Sequence, residues 1–144
     1  MTPNTDKHLL IPKIEQGVVI DHVPAGLGLR LVDIIHGSPG LGHAMISLGL
    51  NYGSTKMGLK DVIKLHEHRL PDAVLEQIAL VAPGVTIKRV QDYTVVERVV
   101  IHPPRKIVGF AVCRNPNCVT NTEAGVTTRF FAVDPPARKF RCAY

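Results

Sequence analysis

The chain has 144 residues, 45% of them hydrophobic, and its 17 Lys and Arg against 12 Asp and Glu give a net charge of +5. This hydrophobic content excludes wholesale disorder, and the 5% aromatic content without Trp argues against a protein built on base-stacking platforms. No apolar run approaches the roughly 18 residues of a membrane span, and the polar start from Met1 to Lys7 lacks the apolar segment of a secretion signal. We therefore expect a cytoplasmic protein without a membrane partner.

Charge, cysteine and proline content all change at one point, the pair Pro103-Pro104. Residues 1–102 carry ten basic and ten acidic side chains, whereas residues 103–144 carry seven basic and two acidic ones together with all three cysteines. A proline pair continues neither a helix nor a central strand. We predict a boundary there, between an N-terminal domain of residues 1–102 and a small C-terminal module of residues 103–144.

The first half of the N-terminal domain has the pattern of a strand, a helix and two more strands. Residues 17–23 are rich in β-branched side chains and predict a strand, after which Pro24 suits the first turn of a helix. An apolar stripe at helical spacing supports this helix: Leu27, Leu31, Ile34 and Ile35. Further strands are predicted at residues 44–50 and 57–68, with a turn at residues 51–54 between them.

The second half adds a helix and the final strands. Pro71-Asp72 opens the helix and Pro83-Gly84 ends it, and its apolar stripe consists of Val74, Leu75, Ile78 and Ala82. Residues 86–90 and 93–100 predict strands. The order β-α-β-β-α-β indicates an α+β fold, the ferredoxin-like sandwich, whose helices cover one sheet face and leave the other free for a ligand.

The three cysteines of the C-terminal module have the spacing of a metal site. Cys113 and Cys118 flank a C-x4-C turn, and Cys142 follows 24 residues later, after a hairpin predicted at residues 126–133. A module of about 40 residues rarely folds by burial alone, and cysteines in a cytoplasmic chain point to a metal before a disulfide. We predict a β-rich module holding one structural zinc, with three ordinary thiols as the alternative.

A closed zinc site has four ligands, and the sequence supplies three cysteines. His102 is the nearest candidate for the fourth, although it precedes the proline pair. Cys142-Ala143-Tyr144 matches the first three residues of a C-x2-C pair, so we expect a fourth cysteine directly after Tyr144.

Polar side chains of the N-terminal domain suggest a site for a phosphorylated ligand. Lys60 and Lys64 lie four residues apart in a predicted strand and therefore share a face, while Asp21 and His22 stand at the end of the first strand. Cations bind phosphates and polar groups bind a ribose. A solvated strand face is the alternative for the lysines, and no nucleophile is paired with Asp21 and His22 to indicate an enzyme.

Several short motifs run collinearly from about Ile11 to Cys142. They are Gly17-Val-Val-Ile-Asp-His-Val-Pro-Ala25, Gly49-Leu-Asn51, Met57-Gly-Leu-Lys-Asp-Val-Ile-Lys64, Leu80-Val-Ala-Pro83, Arg89-Val90 and the Cys113-x4-Cys118 turn. Together these motifs closely resemble the regulatory chain family of aspartate carbamoyltransferase. The resemblance implies a non-catalytic subunit of pyrimidine biosynthesis that binds CTP, ATP or UTP, forms a regulatory-chain homodimer and grips the catalytic chain through its zinc module.

The resemblance also implies roles for individual side chains. It places Asp21 and Lys64 near the ribose and His22 near the phosphates, and it implies that Lys60 contacts the nucleotide. Around the base it places Ile14, Val90 and Tyr93. Two further effector-binding positions depart from the family pattern: Arg98 stands where a phosphate-binding Lys is common, and Lys88 stands where one well-known pattern has Asn.

Two other classes of function remain open from the sequence. The basic C-terminal module alone would suit a zinc-ribbon nucleic-acid binder, which predicts a steep salt dependence of binding. The neutral N-terminal domain and the scarcity of aromatic residues count against nucleic acid as a partner. A small metalloenzyme is the other class, and it predicts an open metal position and activity in isolation.

Overall fold

The computed structural model describes residues 11–144, which form two compact units, one ending at Ile101 and the other spanning His102–Tyr144. The polar start, Met1 to Lys7, lies outside the described residues. No helix in the described part of the chain is long and apolar enough to cross a membrane.

The N-terminal unit is built around one antiparallel sheet and two helices. Its elements are β1 (Gly17–Pro24), α1 (Gly28–His36), β2 (Ile46–Ser54), β3 (Gly58–Leu65), α2 (Asp72–Val81), β4 (Thr86–Gln91) and β5 (Thr94–Val100). The strand order is β2-β3-β1-β4-β5, and every neighbouring pair is antiparallel. The predicted α+β sandwich is confirmed. The strand predicted at residues 93–100 is β5, which lies at one edge of the sheet.

The apolar core of this unit joins both helices to the inner strands. The predicted stripes of the two helices supply its centre, since Leu31 and Ile35 of α1 and Ile78 of α2 are completely buried. Ile20 of β1 and Ile63 of β3 meet them from the sheet. Burying each such side chain stabilises the fold by about 1.5–3 kcal/mol, so this layer fixes which sheet face the helices cover.

Three of the predicted element boundaries are wrong. Pro24 is the last residue of β1 instead of the start of a helix, and α1 begins four residues later. β2 continues through Asn51 to Ser54, where a turn was predicted, and β3 ends at Leu65 instead of His68. The first two differences share a cause, a buried carboxylate that binds the backbone on both sides.

That carboxylate belongs to Asp61 of β3, which is completely buried. Its Oδ2 accepts hydrogen bonds from the backbone N–H groups of Gly26 (3.0 Å) and Gly28 (2.9 Å), and its Oδ1 accepts one from Asn51 (2.9 Å). The register of β2 against β3 shifts between Gly49 and Tyr52, and this irregular part of β2 and the loop before α1 are thereby both joined to β3. A Cβ at position 28 would lie 2.9 Å from Asp61 Oδ2, so only glycine allows this approach.

A β-bulge in β1 lies beside Asp61. Ile20 pairs with Ile63 and Val23 pairs with Asp61, so β1 has one residue more than β3 over this stretch. The bulge interrupts the side-chain alternation, and Ile20 and Val23 are both completely buried although they are three residues apart. His22 takes up the change of direction with a φ of 58°.

The C-terminal unit is a three-stranded antiparallel sheet with one helical turn. Its elements are β6 (Lys106–Val108), α3 (Val119–Thr122), β7 (Arg129–Asp134) and β8 (Lys139–Cys142), in the strand order β6-β7-β8. The hairpin predicted at residues 126–133 is therefore wrong, since the hairpin consists of β7 and β8. Ile107 and Cys118 are the buried apolar residues of this unit, which leaves it without an extended core.

Replacing Asp61 by alanine removes the acceptor of three backbone N–H groups. Each buried donor without an acceptor costs about 1–3 kcal/mol, so we expect Asp61→Ala to lower the free energy of unfolding by about 3 kcal/mol or more. Urea unfolding followed by circular dichroism measures the change. Asp33→Ala, which removes an exposed carboxylate from α1, is the control and should cost less than about 0.5 kcal/mol. Equal losses in the two variants would contradict this role of Asp61.

Candidate anion-binding pocket and metal centre

Three adjacent strands place a carboxylate between two lysines. Asp21 of β1 forms ion pairs with Lys60 of β3 (2.8 Å to Oδ1) and Lys88 of β4 (2.7 Å to Oδ2). The backbone N–H of His22 donates a third hydrogen bond to Oδ1, at 2.7 Å. Because β1 lies between β3 and β4 in the sheet, the two ammonium groups approach the carboxylate from opposite sides.

Asp21 is held in its ionised form. Burial by itself would raise the pKa of this carboxyl, but the hydrogen bonds from Lys60, Lys88 and the His22 N–H outweigh burial and hold the pKa well below its usual range. A carboxylate so strongly stabilised is a poor proton acceptor. It serves as a fixed negative charge and not as a general base.

A cavity of about 280 Å³ opens beside this carboxylate. Six of the nine predicted effector-binding side chains line it: Ile14, Asp21, Lys64, Lys88, Val90 and Tyr93. Lys60 reaches the site through its ion pair with Asp21, while His22 and Arg98 do not line the cavity. Its remaining walls include Lys13 and Val95, which the sequence analysis missed because each stands outside the quoted motifs.

Lys64 connects the cavity to the chain segment that precedes β1. Its Nζ donates a hydrogen bond of 2.7 Å to the carbonyl oxygen of Pro12 and a longer one of 3.4 Å to that of Ile11. Burial is the main cause that lowers the pKa of Lys64, and the nearby Lys13 and Lys88 add to it against the attraction of Asp21. A lysine ammonium group has three N–H donors, so Lys64 can bind a ligand as well as the two carbonyl groups.

His22 stands next to Asp21 but binds in another direction. Its Nδ1 lies 3.3 Å from the Thr86 hydroxyl on β4. Burial lowers the pKa of His22 and the surrounding lysines act in the same direction, although Asp21 opposes them. The ring is therefore mainly neutral at pH 7, and it offers hydrogen bonds more than a full positive charge.

Arg98 and Val95 lie on the same face of β5 because a second bulge separates them. Arg89 pairs with Glu97 but Val90 pairs with Val95, so one extra residue is inserted in β5 between these pairs. Directly opposite residues of an antiparallel pair share a sheet face. Arg98 is opposite Lys88 and thus lies on the cavity side, as does Val95 three residues earlier.

The three cysteines of the C-terminal unit converge. The sulfur atoms of Cys113, Cys118 and Cys142 all lie within 4.8 Å of one another, and those of Cys118 and Cys142 are 3.8 Å apart. Tetrahedral zinc with bonds of about 2.3 Å places its sulfur ligands about 3.8 Å apart, so the observed arrangement fits that ion. No other group of three potential ligands of this kind occurs in the described residues.

Hydrogen bonds around the cysteines hold their geometry. The hydroxyl of Thr120 lies 3.2 Å from the sulfur of Cys118, and bonds from the Thr120 hydroxyl and N–H lower the pKa of that thiol. The side-chain amide of Asn121 donates to the carbonyl oxygens of Cys113 (2.9 Å) and Asn115 (2.8 Å). Asn121 thereby closes the C-x4-C turn, a role that the sequence did not predict because Asn121 lies in α3, outside the turn itself.

The two neighbouring sulfur atoms disfavour the ionisation of Cys142. The backbone N–H of Tyr144 favours the thiolate of Cys142, but burial and the neighbouring Cys118 and Cys113 together raise its pKa. A bound divalent cation would offset this repulsion, because thiolates are the form in which cysteine binds metal.

Comparisons with known proteins cover both units. Residues 9–102 match the family model described as the aspartate carbamoyltransferase regulatory chain, allosteric domain, and residues 105–144 match its metal binding domain. Aspartate carbamoyltransferase regulatory chains are similar over nearly the whole length. That of Pyrococcus abyssi is 39% identical over 136 residues, 94% of this chain and 89% of the relative. That of Thermofilum pendens is 39% identical over 140 residues, 96% of this chain and 87% of the relative.

Asn121→Ala tests the closing of the cysteine turn. Loss of the two amide hydrogen bonds should weaken metal binding by about tenfold, as is usual for groups that orient metal ligands. Competition for zinc with a chromophoric chelator measures the affinity of the full chain. Asn117→Ala is the matched control, since Asn117 is in the same turn and contributes its backbone N–H to the hydrogen bond with Asn115. Equal zinc affinities in the two variants would show that the amide of Asn121 is dispensable.

Proposed function

The chain belongs to the family of aspartate carbamoyltransferase regulatory chains, and from this premise we propose that it binds a nucleoside triphosphate in the N-terminal unit and zinc in the C-terminal unit. The ligands proposed for the first site are CTP, ATP and UTP. The partner proposed for the second unit is the catalytic chain. The comparisons favour the regulatory role over a zinc-ribbon nucleic-acid binder, and nucleic acid is not among the proposed partners.

The observation that carries the nucleotide proposal is the composition of the 280 Å³ cavity. Its apolar wall, with Ile14 and Val90 both buried, suits a planar base. Its polar wall, with Lys64, Lys88 and Asp21, offers charge-assisted hydrogen bonds to a ribose and to phosphate oxygens. The volume is close to the lower end of typical ligand sites, about 300 Å³, so part of the phosphate chain would extend beyond it.

Cations at the edge of the cavity are suited to that phosphate chain. Lys60 adjoins Asp21, and Arg98 is exposed on the cavity side of β5. Arg98 forms no ion pair with any residue of the described range 11–144, so it can bind phosphate without first giving up such a partner. We therefore propose that the phosphates extend toward Lys60 and Arg98, with His22 nearby as a hydrogen-bonding group.

The chain itself is proposed to be non-catalytic. Asp21 is neutralised by two lysines and cannot act as an effective base. The three cysteines are proposed to be engaged with zinc, which supplies structural bonds when four ligands close its coordination sphere. The fourth ligand remains a prediction from the sequence, as does the cytoplasmic location.

Zinc is proposed to take the place of a hydrophobic core in the C-terminal unit. Because Ile107 and Cys118 are the buried apolar residues of this unit, burial contributes little to its stability. Bonds from Cys113 and Cys118 in one turn and from Cys142 at the end of β8 would join the two ends of the unit. Metal binding would then be part of its folding free energy.

Pairing of two regulatory chains is proposed for the N-terminal unit. Strand β2 is at the edge of the sheet, opposite to β5. Leu50 on this strand is 45% exposed and Leu29 of α1 is 60% exposed. Leu50 is also close to the start of α1, since its side chain is 3.0 Å from a Cβ built at Gly28. Contact with a second copy would remove these apolar side chains from water.

Lys64→Ala tests the nucleotide site. Loss of one charge-assisted contact of about 1.5–3 kcal/mol should weaken the binding of CTP or ATP by about 10- to 150-fold, as measured by titration calorimetry. Arg30→Ala is the control, because it removes an exposed cation from α1 and leaves the cavity lining intact. An affinity unaffected by Lys64→Ala would contradict the assigned pocket.

Removal of zinc tests the second unit. One zinc per chain is expected by metal analysis, and a chelator should abolish binding to the catalytic chain while nucleotide binding persists.

With zinc present, the chain should change the aspartate saturation of the catalytic chain in a nucleotide-dependent way, yet show no carbamoyl transfer alone. Docking that survives complete zinc removal would contradict the structural role of the metal.

A further inference from the structure

The charges around the cavity are strongly unbalanced. Lys13, Lys64 and Lys88 line it, Lys60 joins through Asp21, and among the described residues Asp21 is the one acidic side chain in the lining. Four lysines and one carboxylate leave three net positive charges, and Arg98 on the same sheet face adds a fourth. A triphosphate chain carries about four negative charges near neutral pH, since its terminal group has a second pKa of about 6. The positive charge of the pocket thus equals the negative charge of a triphosphate that has no bound metal ion.

The carboxylate of Asp21 has little acceptor capacity left for a metal ion. A carboxylate has about four acceptor positions, and three of those on Asp21 are occupied by Lys60, Lys88 and the His22 N–H. Protein sites for Mg²⁺ with nucleotides usually use one or two carboxylates together with the phosphates. Here the lysines occupy the place that such an ion would need.

We propose that this pocket selects the metal-free form of the nucleoside triphosphate and that Lys88 determines this selectivity. The inference rests on the proposed nucleotide-binding function and specifies the ionic form of the ligand. Lys88 has 16% of its side chain exposed, its Nζ pairs with Asp21 of β1, and it lies opposite Arg98 of β5, so its charge belongs to the same cluster as both. An asparagine, which one family pattern has at this position, would supply neither that charge nor an ion pair for Asp21.

Repulsion explains why a magnesium complex is disfavoured. Mg²⁺ would add two positive charges to a partly buried site that already has an excess of them, and the ion would occupy the phosphate oxygens that the lysines bind. Charges near a protein surface interact several-fold more strongly than in bulk water. Without Lys88, one oxygen of Asp21 loses its ammonium partner and the excess positive charge falls by one, so the magnesium complex becomes more acceptable.

Calorimetric titration of the full chain with CTP, and separately with ATP, tests the proposal in EDTA and in excess Mg²⁺. We expect at least about tenfold tighter binding in EDTA than in Mg²⁺. In Lys88→Asn, binding in EDTA should weaken by about 10- to 150-fold and the difference between the two conditions should shrink. Lys88→Arg keeps the charge and should keep the difference, and Arg30→Asn, which removes an exposed cation of α1 outside the cavity lining, should resemble the unmodified chain.

The outcomes separate this proposal from the proposed function. Binding that is equal or tighter in Mg²⁺ would overturn the selectivity for the metal-free form while leaving nucleotide binding intact. A difference between EDTA and Mg²⁺ that is unchanged in Lys88→Asn would overturn the role of Lys88. Absence of binding in both conditions, with the unmodified chain, would overturn the nucleotide function itself and this inference with it.

Discussion

The hydrogen bonds of the buried Asp61 carboxylate determine the local geometry on which the N-terminal unit depends. They bring the loop before α1, the irregular part of β2 and the centre of β3 to one point. The bulge of β1 lies directly opposite, because Val23 pairs with Asp61. A buried carboxylate needs several donors to offset its desolvation, and backbone N–H groups at an irregular strand and a helix start can supply them. The irregularities are thus a requirement of burying this charge.

The pocket inherits its geometry from the same region. The bulge allows Ile20 and Val23 to enter the core while Asp21, between them, lines the cavity. Two carboxylates on the neighbouring strands β1 and β3 therefore have opposite roles. Asp61 binds neutral backbone groups and stabilises the fold, whereas Asp21 binds lysines and sets the charge of the pocket.

The two units are stabilised by different means. The N-terminal unit has a layer of completely buried aliphatic side chains, and it can form a rigid site on the opposite sheet face. The C-terminal unit has two buried apolar residues, Ile107 and Cys118, and three converging sulfur atoms. Regulation through such a pair requires a coupling free energy between the sites, typically 1–3 kcal/mol. If burial stabilises one unit and the proposed metal stabilises the other, each can be altered without unfolding the other.

The sequence by itself determined the order of strands and helices in the N-terminal unit, the helix stripes through Leu31 and Ile78, and the family, because these depend on local periodicity and on contiguous motifs. It could not determine the extent of β2 or the start of α1, because the bonds to Asp61 that set them join residues 10 to 35 positions apart. It also could not place Lys13, Val95 and Asn121. Lys13 reaches the cavity from the segment before β1, Val95 through the bulge of β5, and Asn121 reaches the cysteine turn from α3. Such proximity between residues of different elements is decided only when the chain packs.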